Sequence, residues 1–270
     1  VVSRYVGRFS CGAASAVACK LVIAEHGLYA PVQIVNAYLE EEHEDNRRFL
    51  ADCERWFGMS ITVVRDTKYN ASTRELFVKR RFLKSAKGAP CSKMLKREIL
   101  DAWQYETSMS GVDDVVVLGY TADEQERFDR WIDANNGRRC VAPLIDAQLG
   151  KEDVLALVER AGLVLPLMYR LGYHNANCIG CVKGGAGYWN KIRRDFPERF
   201  EEMCRIEEML GIKAALLRHR SGPLKGQRFF LRQLDPNTGN YADEPSIECS
   251  GSCELVEQTP GWDELETDLA

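Results

Sequence analysis

Apolar and polar positions along the chain switch repeatedly between a short-run and a helical spacing. Tyr5 to Phe9 reads as a short strand, and Ala14 to Glu25 as a helix ended by His26-Gly27, where Gly27 is free to adopt the left-handed cap. Val32 to Leu39 is a β-rich apolar run, followed by a helix over Asp45 to Phe57 that Gly58 stops. Ile61 to Val64 predicts a third strand, Ser92 to Tyr105 a helix, Asp114 to Leu118 a fourth strand and Asp123 to Asn135 a further helix. Val141 to Leu144 is the candidate fifth strand, and Lys151 to Ala161 the helix after it. Strand alternating with helix, with apolar runs suited to burial on both faces, predicts a doubly wound α/β fold. Its sheet is mainly parallel and five-stranded, with helices on each side.

Beyond about residue 166 the alternation stops. Arg194 to Leu210 is helical, with Pro197 in the first turn of a second helix; Ser221 to Gly226 is a turn-rich linker, and Phe229 to Leu234 a candidate short strand. Pro236 to Ser252 is turn-rich and irregular, and the tail from Glu254 is acidic. The expected division is an α/β domain over residues 1–165 and a helical, cysteine-bearing region over 166–270 packed on it.

Length and composition narrow the class. The 270 residues are 45 % hydrophobic and 28 % charged with a formal charge of −4, the balance of a soluble globular protein rather than a disordered or collagen-like chain. No apolar run reaches the length of a membrane span. Val1-Val2-Ser3-Arg4 lacks the charged-then-apolar layout of an export signal, so the expected location is cytoplasmic. Against that background ten unevenly spaced cysteines suggest metal or thiol chemistry more than a disulfide framework.

The chemistry concentrates in two places. After the first strand the chain reads Ser10-Cys11-Gly12-Ala13-Ala14-Ser15. Small residues there let the backbone approach an anion, Ser10 and Ser15 add hydroxyls, and the following helix points its positive end at the same place. The alternative is a tight turn that only permits close helix–sheet packing. Far down the chain Cys178-Ile179-Gly180-Cys181 is a CxxC in a glycine-rich loop, which can clamp a metal centre or form a redox disulfide. Between them, Lys79 to Arg97 carries eight basic residues and no acidic one, either a solvated face or an attraction for nucleotide or nucleic acid. The acidic run Glu40 to Asp45 reads most simply as a solvent-facing turn.

The first of these segments resembles the PP-loop, Ser-x-Gly-x-x-Ser, of the adenine-nucleotide α-hydrolase-like superfamily, which contains ATP pyrophosphatases and phosphoadenosine-phosphosulfate (PAPS) reductases. Two further segments match the reductase branch in order. Val35 to Glu40 with Glu44-Asp45-Asn46 resembles its second strand and acidic turn, before a helix over Phe49 to Glu54. Leu118 to Glu124 with Arg127 resembles its fourth-strand loop, which ends in a substrate-contacting arginine. Ala89-Pro90-Cys91-Ser92-Lys93-Met94-Leu95-Lys96 resembles the Cys-Cys-x-x-Arg-Lys segment of iron–sulfur adenylylsulfate (APS) reductases. In the ATP pyrophosphatases the loop is usually Ser-Gly-Gly-x-Asp-Ser; here Cys11 stands for a glycine and Ala14 for the aspartate, which weakens an ATP-adenylating role.

The resemblance implies a set of roles. Ser10, Cys11, Gly12, Ala13 and Ser15 would bind the phosphate or sulfate of PAPS, APS or ATP, with Arg127 and Lys93 neutralising it. Cys91, Cys178 and Cys181, the first two 87 residues apart, would ligate a [4Fe-4S] cluster. Pro90 replaces one tandem cysteine, and Cys253 is the expected fourth ligand; zinc would accept the same four. Glu248-Cys249 begins like the Glu-Cys-Gly-x-His motif whose cysteine attacks the phosphosulfate sulfur, so Cys249 is the expected nucleophile, although its role and that of Cys253 could be exchanged. The implied activity is that of a divergent reductase of the kind phages also encode, using a thiol electron donor, in a group whose members often pair as homodimers. The alternatives are an ATP-dependent sulfur transferase or nucleic-acid thiolation or phosphorothioation protein, and a non-catalytic nucleotide-binding iron–sulfur protein.

Overall fold

The computed structural model describes residues 2–85, 88–135 and 137–247. Strand β1 (Val2–Arg8) lies at the centre of a five-stranded sheet. On one side it pairs in parallel with β2 (Val32–Ala37), which pairs with β3 (Ile61–Val64). On the other it pairs with β4 (Val112–Val117), which pairs with β5 (Cys140–Val141). The order is β3-β2-β1-β4-β5 and every pairing is parallel, a Rossmann-like, HUP-like α/β fold.

Successive side chains of a strand face opposite ways, and both faces are covered. Val6, Val35 and Ala37 pack on one face with Leu100 of α5 (Glu98–Glu106). Ile34 and Val117 pack on the other with Ala16, Val17 and Cys19 of α1 (Ala13–His26) and Phe49 and Cys53 of α2 (Asp45–Phe57). Gly7 makes the α1 contact possible: a Cβ there would come within 2.8 Å of the Cys19 Sγ and 2.5 Å of Ile34 Cδ1.

Several local expectations are corrected. Gly27 is right-handed (φ −61°), and the chain leaves α1 through further amide bonds from Tyr29 and Ala30 to the His26 carbonyl, so no left-handed cap is needed. Gly58 does take the left-handed cap (φ 72°). Helix α3 (Thr73–Arg80), whose last two residues open the basic run, is not among the expected elements; Ser72 caps it, its Oγ accepting the Glu75 amide at 3.2 Å. The helix expected from Ser92 is α4 (Pro90–Ser92), a π-helical stretch Lys93–Arg97 and α5. The fifth strand is two residues long, because Pro143 opens the short helix α7 (Pro143–Asp146); α6 (Gln125–Ala134) precedes it and α8 (Lys151–Arg160) follows.

The C-terminal part adds α9 (Leu167–Arg170), α10 (Ala186–Asp195) and α11 (Pro197–Leu210), then a hairpin of β6 (Leu217–Arg218) and β7 (Arg228–Phe229). The expected strand Phe229 to Leu234 stops after Phe229 and turns into a 3-10 segment, Leu231–Gln233. Helix α10 starts well before Arg194, because the Glu244 carboxylate accepts the Gly187 and Tyr188 amides at 2.7 and 3.0 Å. One core cluster joins Leu76, Leu83, Cys91 and Leu95 to Cys178, Cys181, Trp189 and Leu231. Among the described residues no helix is long and apolar enough to cross a membrane.

Candidate functional site

The chain runs leftward from β1 to β3 and then returns to the right of β1 with β4, so the strand order reverses between β1 and β4. In an open parallel sheet a crevice opens at the carboxyl ends of the strands at such a point. A cavity of about 330 Å³ lies there, lined by Arg8 to Ser10 at the end of β1 and by Leu118 to Thr121 after β4.

The Ser10–Ser15 turn shapes one wall. Cys11 takes a left-handed backbone (φ 57°), with its thiol buried against the Asn36 amide group, whose Nδ2 also donates to the Phe9 carbonyl at 2.8 Å. Cys11 is therefore turned into the core and does not line the cavity, which passes from Ser10 to Gly12. The Ser15 Oγ accepts the Ser10 amide at 3.1 Å, lies 3.1 Å from the Ser10 Oγ and donates to the Gly12 carbonyl at 2.9 Å. No side chain of the turn caps α1; the Ala13 amide donates instead to the hydroxyl of Tyr169, from α9, at 3.2 Å. Among the described residues the amides of Ala14 and Ser15 have no acceptor, as expected in the first turn of a helix, and they stand at its positive end. Gly119 lets β4 close on this turn, since a Cβ there would sit 2.9 Å from Ser15 Cα.

Four cations reach the cavity: Arg8, Lys96, Arg127 and Lys151. Arg8 is held by Asp101 and by Gln104 Oε1 at 3.0 Å, and its buried Nε has no hydrogen-bond partner among the described residues. Arg127 pairs with Glu124 and lies over the Tyr120 ring, 4.7 Å from its centroid. Lys151 pairs with no carboxylate among the described residues, and its Nζ reaches only the Ser246 Oγ at 3.4 Å. Burial holds the Lys151 ammonium below the ordinary lysine range, with Glu124 and Glu152 opposing the shift.

Two of the anion-binding expectations fall differently. Lys93 is not brought to the cavity but faces Glu98 at 3.8 Å, and Lys96 takes that place. The acidic run is not a solvent-facing turn. Glu41 and Glu42 are each 5 % exposed; Glu41 accepts the Ser72 hydroxyl and the Thr73 amide at 2.7 and 2.8 Å, and Glu42 accepts Lys96. Nor is the basic run a single face, because Lys79 pairs with Glu75 outside while Lys96 and Arg97 are buried.

Cys91, Cys178 and Cys181 belong to one core cluster and are each 8 % exposed. The CxxC turn wraps the Tyr188 hydroxyl, which accepts the Gly180 and Cys181 amides at 3.0 and 2.8 Å and donates to the Cys178 carbonyl at 3.2 Å. Gly180 is left-handed (φ 81°), and Lys84 stands near the Cys181 thiol. Among the described residues, however, no group of three or more His, Cys, Asp or Glu side chains gathers as a metal site. Sharing a core cluster is a weaker relation than sulfurs converging on one centre. Cys249 and Cys253 lie outside the described residues. Burial raises the thiols of Cys11, Cys19, Cys53 and Cys204, that of Cys19 to about 12, which leaves them protonated packing groups.

No family model and no curated protein matches the chain. Its affinities therefore rest on the fold and on the cavity. Arg8, Lys151 and Tyr169 were missed in the sequence: Arg8 and Lys151 are ordinary cations until the strand order places them, and Tyr169 carries no local signal at all.

Proposed function

We propose that the cavity binds an adenine nucleotide through its phosphate or phosphosulfate group, and that the chain is a PAPS- or APS-reductase-like enzyme. The observation that carries the reading is a cavity at the reversal of strand order in which, among the described residues, the Ala14 and Ser15 amides have no acceptor and the Lys151 ammonium has no carboxylate partner. Helix amides with an uncompensated cation favour an anion. A volume of about 330 Å³ lies at the lower end of small-molecule sites, roughly 300–1,000 Å³.

The reacting thiol in this reading is Cys249. Ser246 lines the cavity, and Cys249 is three positions further along the chain, a span of about 10 Å when extended. The Cys249 thiolate attacks the phosphosulfate sulfur, the bridging S–O bond breaks, and the nucleotide phosphate leaves with the electron pair. An external thiolate then attacks the Cys249 sulfur, forming a disulfide and expelling sulfite, so two electrons pass from the thiols to the sulfonate. A [4Fe-4S] cluster on Cys91, Cys178, Cys181 and Cys253 belongs to the same reading, supported by the common core position of the first three and by the count of four thiols.

Equilibrium binding of PAPS, APS and ATP, with sulfite release measured in the presence of a thiol, tests the activity. Cys249→Ser is expected to abolish sulfite release while leaving nucleotide affinity unchanged. ATP bound with PAPS and APS ignored moves the chain to the ATP-using sulfur transferases. Iron and acid-labile sulfide counted after anaerobic purification, on the wild type and on Cys91→Ser, Cys178→Ser, Cys181→Ser and Cys253→Ser, test the cluster separately; absence of both elements removes it.

A further inference from the structure

From Gly211 to Leu234 the chain carries six lysines and arginines and no acidic residue, in a protein whose formal charge is −4. This run forms the β6–β7 hairpin. Its register sets Arg218 directly opposite Arg228. Like charges at directly paired positions of an antiparallel ribbon repel, yet neither arginine has a carboxylate partner among the described residues. The Arg218 Nη1 donates to the Gly226 carbonyl at 2.7 Å, and the Arg228 Nη1 to the Ala215 carbonyl. The carboxylate closest at hand is spent: Glu207 is buried and accepts the Leu216 and Leu231 amides at 2.5 and 2.6 Å. Arg220 and Lys225, in the connecting loop, are exposed and without an ion pair among the described residues. Beside them the His219 ring lies 4.6 Å from the Phe229 ring.

We propose that the β6–β7 hairpin docks the phosphodiester backbone of nucleic acid, with Arg218, Arg220, Lys225 and Arg228 each facing phosphate. Repulsion between the paired arginines is relieved when an anion lies across them. A single small anion would satisfy one pair, whereas four cations spread over both strands and the loop match a repeating polyanion. A two-stranded ribbon also has the dimensions of a duplex major groove. A local basic surface on an acidic protein steers such a partner by its field. The hairpin shares no residue with the cavity, and either site can fail without the other.

The test uses the full chain and a fluorescent DNA duplex of about 20 bp with its single strand, followed by anisotropy from about 50 to 200 mM salt. Four neutralised phosphates give a slope of log K against log salt of about −3.6 on the duplex. An R218A/R228A double variant is expected to bring that slope to about −1.8 and to weaken binding at least tenfold. R220A/K225A, which alters only the loop, gives the same loss with no strand residue changed. Nucleotide affinity of the cavity stays unchanged in both. Absence of binding at the lowest salt, an unchanged slope in both variants, or binding to anionic vesicles but not to either oligonucleotide would overturn the proposal.

Discussion

The Lys96 ammonium donates to the Glu42 carboxylate across 2.9 Å inside the protein, with side-chain exposures of 9 % and 2 %. The basic and acidic runs, 54 positions apart at this pair, thus meet in the interior behind the candidate cavity. Neighbouring Glu41 reinforces the junction, because its carbonyl accepts the Ile179 amide of the CxxC loop at 2.8 Å. The segment read as a surface turn is where the sheet, α3, the π-helical stretch and the cysteine loop are joined.

Removing one partner of a buried ion pair leaves the other charged and desolvated, which costs about 3–5 kcal/mol. Glu42→Gln is expected to lose stability on that scale. Glu42→Gln combined with Lys96→Met should recover much of the loss, because the pair's own net contribution is small once both charges are gone. Denaturant titration of the three proteins checks this; an unchanged midpoint in Glu42→Gln would show that the pair is not desolvated.

Gly119→Ala tests how closely β4 and the first turn of α1 approach. The added Cβ would lie 2.9 Å from Ser15 Cα and 3.0 Å from Ser15 N, both backbone atoms that cannot rotate away. The helix start must shift, at a cost of about 1–3 kcal/mol. The variant is expected to melt earlier and to bind nucleotide more weakly, whereas Gly58→Ala, with nothing within 4 Å but a left-handed backbone, should affect melting alone. Thermal melts paired with nucleotide titrations separate the two effects.

The sheet was legible because strand and helix periods alternate so regularly: Ile61–Val64 and Asp45–Phe57 have the very bounds expected of them. The tight turn after β1 was legible for the same reason, since small residues between a strand and a helix mark a close junction. Long-range pairing stayed hidden. Glu42 and Lys96 look like surface charges to any local pattern, and Glu244 caps α10 from more than fifty residues away. Helix α3 had a readable start in Ser72-Thr73-Arg74-Glu75, masked by the basic residues from Lys79 onward. Tyr169 replaces a local cap from 156 residues away, which no spacing rule anticipates.

Lys151 supplies a pH signature for the cavity. Burial lowers its pKa, so the folded protein releases that proton at lower pH than an exposed lysine does. An anion held by the ammonium is bound below that pKa and loses the contact as pH rises through it. Nucleotide affinity in the wild type is therefore expected to fall on the alkaline side before ordinary lysines titrate. Lys151→Ala should bind about tenfold more weakly at neutral pH, roughly 1.4 kcal/mol, and should show no such alkaline fall. An alkaline limb identical in the variant would assign the titration to another group.

Tyr169 gives the sharpest test of where the anion sits. Its hydroxyl oxygen accepts the Ala13 amide at 3.2 Å and the Ala176 amide as well, joining the start of α1 to the loop that leads into the CxxC. Both acceptor positions are then occupied, and the hydroxyl hydrogen remains to be donated. Burial raises the phenol above its ordinary pKa, so that hydrogen is retained at physiological pH. Because the residue lines the cavity, a bound phosphate is the natural acceptor. Tyr169→Phe removes donor and acceptor together while keeping the ring. It is expected to cost about 1–3 kcal/mol of stability from the two stranded amides and, separately, about tenfold in nucleotide affinity. Calorimetric titration at a temperature where both proteins are fully folded isolates the second effect. Equal affinities there would mean that the anion lies beyond reach of this hydroxyl, toward Arg127 and away from the first turn of α1.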